Sequence, residues 1–416
     1  MTPHALLVAG LGFGDEGKGS AVDYLTRRYD ARLVVRYNGG PQAAHHVVLP
    51  DGRWHKFQQF GSGYFAGPNV MTYLSKHMLV SPTALKYEAD KLQDMFPDST
   101  PHERIMIDEN CLILTPLHSI ANRFIEKRRG NKRHGTCGWG VGFARGRALS
   151  GQASLYARDL KRFKQTISAL RQIQIDVYEM GIGCEEELKL ELDNINILQL
   201  AEEYNEFANT WTIRHESLLH GMLQTNTSVF EGAQGVLLDE TYGFAPHNTW
   251  TDTTFKNAHD LLQNTGVRST RIGILRALST RHGAGPFPSE NSRYAYDGDH
   301  NSSNQWQGDF RFGAFDFPLV KYALNACGGV NELFLTHCDK LQSTVGGKGQ
   351  NGYVDEYEGM LTDGRAALRF GVTAQELFEA KAMYWEGSLL DAIREKLKPR
   401  VSVYSYGPTH LDKVSG

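Results

Sequence analysis

Short, largely apolar runs recur along this 416-residue chain, with helical stretches between them. They are Ala5–Ala9, Leu33–Tyr37, Asn69–Leu74, Arg104–Ile107, Ser228–Phe230, Arg271–Leu275, Glu332–Thr336 and Val401–Tyr404. Each is too short for a stable helix and too continuously apolar for a strand with one wet face. A strand buried on both faces needs helices above and below it. An α/β fold, with a large, mainly parallel sheet covered by helices, is therefore expected. The stretch 158–225 breaks the rhythm. Leu160, Phe163, Ile167, Leu170, Ile173 and Val177 keep helical spacing, and Cys184 to Tyr204 is acidic and also helical. A mostly helical insertion at about 158–225 is expected in a single domain spanning 1–416, its stripe serving core or subunit packing.

The densest local pattern is Gly12-Phe13-Gly14-Asp15-Glu16-Gly17-Lys18-Gly19, between the first apolar run and an amphipathic run with Ala21, Val22, Tyr24 and Leu25. This order predicts strand, tight loop and helix start. Outward backbone N–H groups and the helix dipole attract phosphate there, and Lys18 adds a point charge. Gly12, Gly14 and Gly17 match a dinucleotide fingerprint, but the acid expected about twenty residues on is missing: the next strand runs into Asn38-Gly39-Gly40. Gly12 to Lys18 also match a phosphate-binding P-loop up to its last position, where Gly19 replaces the Mg²⁺-binding hydroxyl. The loop is P-loop-like, with a carboxylate inside it. Asp15 there would repel phosphate unless it has a task of its own.

Composition narrows the classes. A formal charge of −3 gives no electrostatic case for nucleic acid. The cysteines at 111, 137, 184, 327 and 338 lack metal spacing and suggest a reducing compartment. Neither a secretory leader nor a membrane span is expected, so a cytoplasmic location is. The basic run Lys127–His134 opens onto a glycine-rich loop, Gly135–Gly142, which suits either a solvated face or phosphate handling.

Gly14-Asp15-Glu16-Gly17-Lys18-Gly19 after an N-terminal strand resembles the signature of the adenylosuccinate synthetase family. Phe230-Glu231-Gly232-Ala233-Gln234-Gly235 with Leu237-Leu238-Asp239 resembles a second family block, and Thr280 to Glu290 a third. Gly407-Pro408 resembles the family's C-terminal base loop. The resemblance implies a homodimeric GTP- and Mg²⁺-dependent ligase acting on small-molecule nucleotide and amine substrates. Such an enzyme phosphorylates the 6-oxo group of an IMP-like nucleotide, and an amine, aspartate by default, displaces the phosphate. It implies Asp15 as base and Mg²⁺ contact, with the Ala44 carbonyl also on the metal. Gly14, Glu16, Gly17, Lys18 and Gly19 would hold the GTP phosphates. His45 and Gln234 would assist phosphoryl transfer. Asp339 would take guanine N–H groups, with His337 stacking where the family has lysine. For the substrate nucleotide the resemblance implies Gln42 in place of Asn, Thr136, Cys137 in place of a hydroxyl residue, Gln234, Thr249, Arg281 and His282. Arg145 or Arg147 would reach across the dimer.

One block departs. The family's Thr-Thr-Gly-Arg-Arg-Arg-Arg segment, which holds aspartate, is matched by Asn304 to Asp316, where Arg311 is the remaining arginine among Asp309, Phe310 and Phe312. Guanidiniums suit a dicarboxylate because they bind it bidentately. Arg311, or aspartate held by Arg276 or Arg281, is the expectation for the default amine. The alternatives are a paralogue with another amine or another amide-bearing substrate, and a nucleotide-binding protein that has lost catalysis.

Overall fold

The computed structural model describes residues 2–181, 185–296, 306–342, 352–359 and 368–416; Cys184, Asn304 and Gln305 lie outside them. Every apolar run named above forms a strand of one sheet. Among the described residues that sheet has ten strands. From one edge the order is Lys413–Ser415, Val401–Ser405, Glu332–Thr336, Arg268–Arg276, β1 (His4–Gly10), Ser228–Glu231, β2 (Leu33–Arg36), Met71–Leu74, Ile105–Asp108 and Thr212–Arg214. Neighbours run parallel, except that Lys413–Ser415 returns antiparallel along Val401–Ser405.

Alternation along β1 shows why the runs had to be apolar. Leu6 and Val8 pack with Ala21, Val22 and Leu25 of α1 (Lys18–Arg28) on one face. Ala5, Leu7 and Ala9 enter the core on the other face. A separate core lies under the helices Phe163–Gly181, Glu186–Asp193 and Ile197–Thr210. There Leu170, Ile173, Val177, Leu188 and Leu192 pack with Phe124 of the helix Pro116–Arg129. Among the described residues, no helix is long and apolar enough to cross a membrane.

Parallel strands send their carboxyl ends to one edge, and ligands of such sheets bind in the crevice there. The loops after β1, β2, Ser228–Glu231, Glu332–Thr336 and Val401–Ser405 all emerge at this edge. Two antiparallel hairpins flank it, His45–Val48 with Trp54–Phe57 and Ser279–His282 with Phe310–Gly313.

Candidate functional site

The loop after β1 is held from inside by its own glutamate. Glu16 is buried, and its Oε1 accepts from the backbone N–H of Gly12 (3.0 Å) and Gly14 (2.8 Å), while Oε2 pairs with the Lys18 ammonium. This carboxylate fills a cradle between Gly10, Gly12 and Gly235, where any Cβ would crowd it. Gly17 caps α1 at φ +84°. A Cβ on Gly19 would come within 2.8 Å of the His46 carbonyl, so the helix start lies directly on the His45–Val48 strand. Asp15 adopts φ +61°, a conformation that short polar side chains tolerate best, and its carbonyl accepts from Arg276 Nη1 at 2.6 Å.

The second and third loops are fastened to each other. Asn38, fully buried, donates from Nδ2 to the Ala233 carbonyl (3.0 Å) and accepts the Ala233 N–H at Oδ1 (2.7 Å). Gln234 follows at φ +58°, with its side-chain oxygen buried and without a protein partner; the same holds for the Gln42 side-chain oxygen. His45 Nδ1 lies 2.5 Å from Glu231 Oε1. Glu231 also accepts from the Ser62 backbone N–H (2.8 Å) and hydroxyl. Burial would raise the Glu231 pKa, but the Arg36 charge and the hydrogen bonds from His45 and Ser62 prevail and hold it down to about 2. Burial pushes His45 toward its neutral form, against the pull of Glu231. The pair is therefore an ionised carboxylate orienting an imidazole through Nδ1.

At the other end, His337 sits at φ +57° with Nδ1 2.8 Å from Thr336 Oγ1, and burial holds its pKa well below the ordinary value. Asp339 pairs with Lys340 at 2.9 Å. Gly407 and Pro408 are tied down by Lys413 Nζ to the Gly407 carbonyl (2.9 Å) and by the Ser20 hydroxyl to the Pro408 carbonyl (3.1 Å). Burial lowers the Lys413 pKa to about 8, against the opposing charges of Asp412, Asp23 and Asp339.

These loops enclose a cleft of about 1460 Å³, more than one small ligand fills. Gly14, Asp15, Gly17, Lys18, Gly19 and His45 line it, as do Gln42, Ala44 and Gln234. His337, Asp339, Gly407 and Pro408 close one side, and Thr136, Cys137, Thr249, Arg147, Arg281 and His282 the other. Two expected residues, Glu16 and Arg311, are placed differently, and Arg145, expected to reach across a dimer, lies off its own cleft. The Glu16 side chain faces the loop interior rather than the cleft. Arg145 and Arg311 do not line the cleft: Arg145 Nε is buried without a partner, and Arg311 binds Glu290 (2.8 Å) and the Gly285 carbonyl (2.5 Å). Arg147 touches the cleft but is committed to Asp176 at 2.6 Å.

The glycine-rich loop reaches the Ser279–His282 hairpin. A Cβ on Gly135 would lie 3.3 Å from the Ala284 N and 3.4 Å from the Gln307 carbonyl. Glu126, buried, accepts the backbone N–H groups of His134 and Gly135 (3.1 Å each) and pairs with Arg129 (2.5 Å), one member of the basic run beside this loop. Asn38, Arg36 and Glu126 were not anticipated for the site, and Arg276 was expected only as an alternative holder of aspartate. Their one sequence signal is position, at or just beyond the carboxyl end of a strand or in the helix before a glycine loop.

Comparison with known proteins agrees with this geometry. The family model described as adenylosuccinate synthetase matches residues 7–384. The adenylosuccinate synthetase of Mycolicibacterium paratuberculosis is 29% identical over 407 residues, covering 92% of this chain and 86% of that protein. That of Saccharopolyspora erythraea is 31% identical over 357 residues, 81% of this chain and 78% of the other. Among solved structures, fully ligated adenylosuccinate synthetase from Plasmodium falciparum superposes with a TM-score of 0.81 at 20% identity, over 99% of both chains. Cyanophage S-2L succinoaminodeoxyadenylate synthetase, bound to dGMP and to dATP as an energy donor, superposes with a TM-score of 0.65 at 16% identity, covering 100% of this chain and 96% of that one. At those identities the two superpositions speak to fold.

Proposed function

The chain belongs to the adenylosuccinate synthetase family, ligases that form C–N bonds, and we propose that it uses GTP to phosphorylate the 6-oxo group of an IMP-like purine nucleotide, which an amine then attacks. The observation that carries this proposal is the placement of Asp15: a carboxylate inside a phosphate-type loop, opening on the same cleft as Gln234 and the His45–Glu231 pair.

Oxide is a poor leaving group, so C6 must be activated first. Asp15 takes the ring N1 proton, and O6 becomes nucleophilic toward the γ-phosphorus. Lys18 and the remaining loop N–H groups offset charge on the transferring phosphoryl group, and His45, oriented by Glu231, adds a ring N–H or lone pair opposite them. Gln234 holds the oxygen with its amide. Thr136, Thr249 and Gln42 hold the nucleotide phosphate; Arg281 and His282 close the cleft beside it. His337 and Asp339, with Gly407 and Pro408, seat the donor's base. Arg145, with an unpartnered Nε and no place in its own cleft, is the residue we assign to a partner subunit's nucleotide in a homodimer.

Mg²⁺ fits the donor set. It binds through one or two carboxylates plus substrate phosphates rather than in an all-protein cage. Asp15 and the Ala44 carbonyl supply such a pair, and the described residues contain no cluster of three or more metal-ligating side chains. The ion would neutralise phosphate charge.

The test is positional isotope exchange. GTP labelled with ¹⁸O in the βγ bridge, with Mg²⁺ and IMP but no amine, should scramble its label, and Asp15→Asn should abolish the exchange. No scrambling with any oxo-purine nucleotide overturns the proposal. A second reading, with an adenine donor and a guanine nucleotide as acceptor, is favoured by the Asp339–Lys340 pair, which competes for guanine's hydrogen-bonding partner. The same exchange with labelled ATP and GMP or dGMP decides between them.

A further inference from the structure

Val401–Ser405 and Lys413–Ser415 form an antiparallel hairpin in which Ser405 stands opposite Lys413. The loop 406–412 between them carries Gly407 and Pro408, one side of the donor-base seat. It folds back so tightly that a Cβ on Gly407 would lie 2.7 Å from the Asp412 carboxylate. That carboxylate accepts the Thr409 backbone N–H (2.8 Å) and hydroxyl (2.7 Å), and the Asp412 carbonyl accepts the Tyr406 N–H (2.9 Å).

Lys413 spans the neck of this loop. Its Nζ donates to the Gly407 carbonyl (2.9 Å) and to the Thr409 carbonyl (2.7 Å). Without it each carbonyl keeps one neutral donor, the Ser405 hydroxyl on Gly407 (3.0 Å) and the Asp412 N–H on Thr409 (3.2 Å). Hydrogen bonds from an ammonium are roughly twice as strong as neutral ones, so Lys413 supplies most of the closure. Opposing charges reach it from Asp412 in its own loop, Asp23 in α1 and Asp339 in the loop after Glu332–Thr336. Asp23 in turn pairs with Arg27 (3.1 Å) and stands 3.7 Å from His410 Nδ1. On the far side of the seat, burial and then the charges of Arg276, Lys340 and Lys413 hold His337 in its neutral form. One ammonium thus binds the Gly407 side of the seat and acts through its field on His337 and Asp339 opposite.

We propose that Lys413 is a positioning residue for the donor nucleotide: its ammonium holds the loop 406–412 in the shape that lets Gly407 and Pro408 meet the donor's base across from His337 and Asp339. This rests on the base seat proposed above. Lys413 does not line the cleft, so it acts through the loop and not by touching the base. Burial lowers its pKa to about 8. The group is therefore mostly charged at about pH 7 and mostly neutral at about pH 9, where the amine keeps two N–H donors but loses the strength its charge gave them. Donor affinity falls as pH rises through that range.

Equilibrium binding tests this without requiring turnover. Calorimetry on the full chain with Mg²⁺ uses GDP and ADP as donor probes and IMP as the acceptor probe. Lys413→Met should raise the Kd of the more tightly bound diphosphate about tenfold and change the IMP Kd less than about twofold. Lys413→Arg, which keeps the charge, should restore the diphosphate Kd to within about threefold. From about pH 7 to pH 9 the diphosphate Kd of the unaltered protein should rise about threefold or more relative to Lys413→Arg, since titration of the ligand cancels in that ratio. The ratio decides the matter even where Lys413→Met does not fold. An unchanged diphosphate Kd in Lys413→Met, equal losses for diphosphate and IMP, a ratio that does not move with pH, or no binding of either diphosphate overturns the inference. Isotope exchange reports separately: binding that follows Lys413 without any exchange overturns the activation proposal alone.

Discussion

The loops after β1, β2 and Ser228–Glu231 differ in kind from the Ser279–His282 hairpin. In the loops, charge is buried and answered: Glu16 by two backbone N–H groups and Lys18, Glu231 by His45, Ser62 and Arg36. Glycines stand where a Cβ would strike a carboxylate or carbonyl. In the hairpin, aromatic rings line one face and arginines bond backbone carbonyls on the other. The first arrangement has little freedom to change, because removing one partner strands a buried charge. The second changes by exchanging side chains on a two-stranded frame. The loops are thus fixed through buried charge and backbone contacts and the hairpin faces through exchangeable side chains, so the two can diverge separately.

The comparison breaks most visibly at Asp15. Asn tolerates the same left-handed backbone, so Asp15→Asn should keep the melting temperature while isotope exchange falls by about 10²–10⁴-fold. A fall under tenfold would remove Asp15 as the base. Glu231→Gln tests the buried pair and should cost roughly 3 kcal/mol at neutral pH in denaturant titration. The sign with pH follows from a folded-state pKa depressed from 4.5 to about 2. The unfolded chain binds the proton first on acidification, so the carboxylate's contribution is complete above about 4.5 and fades as pH falls toward 2. The gap between the two proteins should close over that window.

The strands were legible because parallel strands buried on both faces must be apolar, as Leu6 to Ala9 and Leu333 to Leu335 are. The edge strands Thr212–Arg214 and Lys413–Ser415 are three residues long and carry no such signal. In the site, Asp15, His45 and Gln234 announced themselves through glycine spacing and family resemblance. The inward turn of Glu16 did not, because it depends on Gly235, far along the chain. Nor did the arginine face of the hairpin: the pairing of Arg281 with Arg311 is a matter of register, invisible until the two strands meet.

Smaller effects sharpen the picture. Asp339→Asn should raise the KM for GTP about tenfold if that carboxylate holds guanine, and leave it unchanged if an adenine nucleotide is the donor. Arg311→Gln should cost about 1–2 kcal/mol, since it gives up an ion pair to exposed Glu290 and a hydrogen bond to the buried Gly285 carbonyl. A fall of the adduct rate with aspartate by more than about tenfold in the same variant would place the Arg311 guanidinium against the amine.

The two hydrogen bonds between Asn38 and Ala233 join segments 195 residues apart in sequence. Neither loop can peel away without exposing the buried polar groups of both, so they form one cooperative unit of local opening. In native-state hydrogen exchange the amide of Leu79, which donates to the Gly39 carbonyl, and that of Ala233 should share a single opening free energy and the same denaturant slope. Replacing Asn38 would then split that shared event into two, and the His45-bearing and Gln234-bearing walls of the cleft would fluctuate out of step.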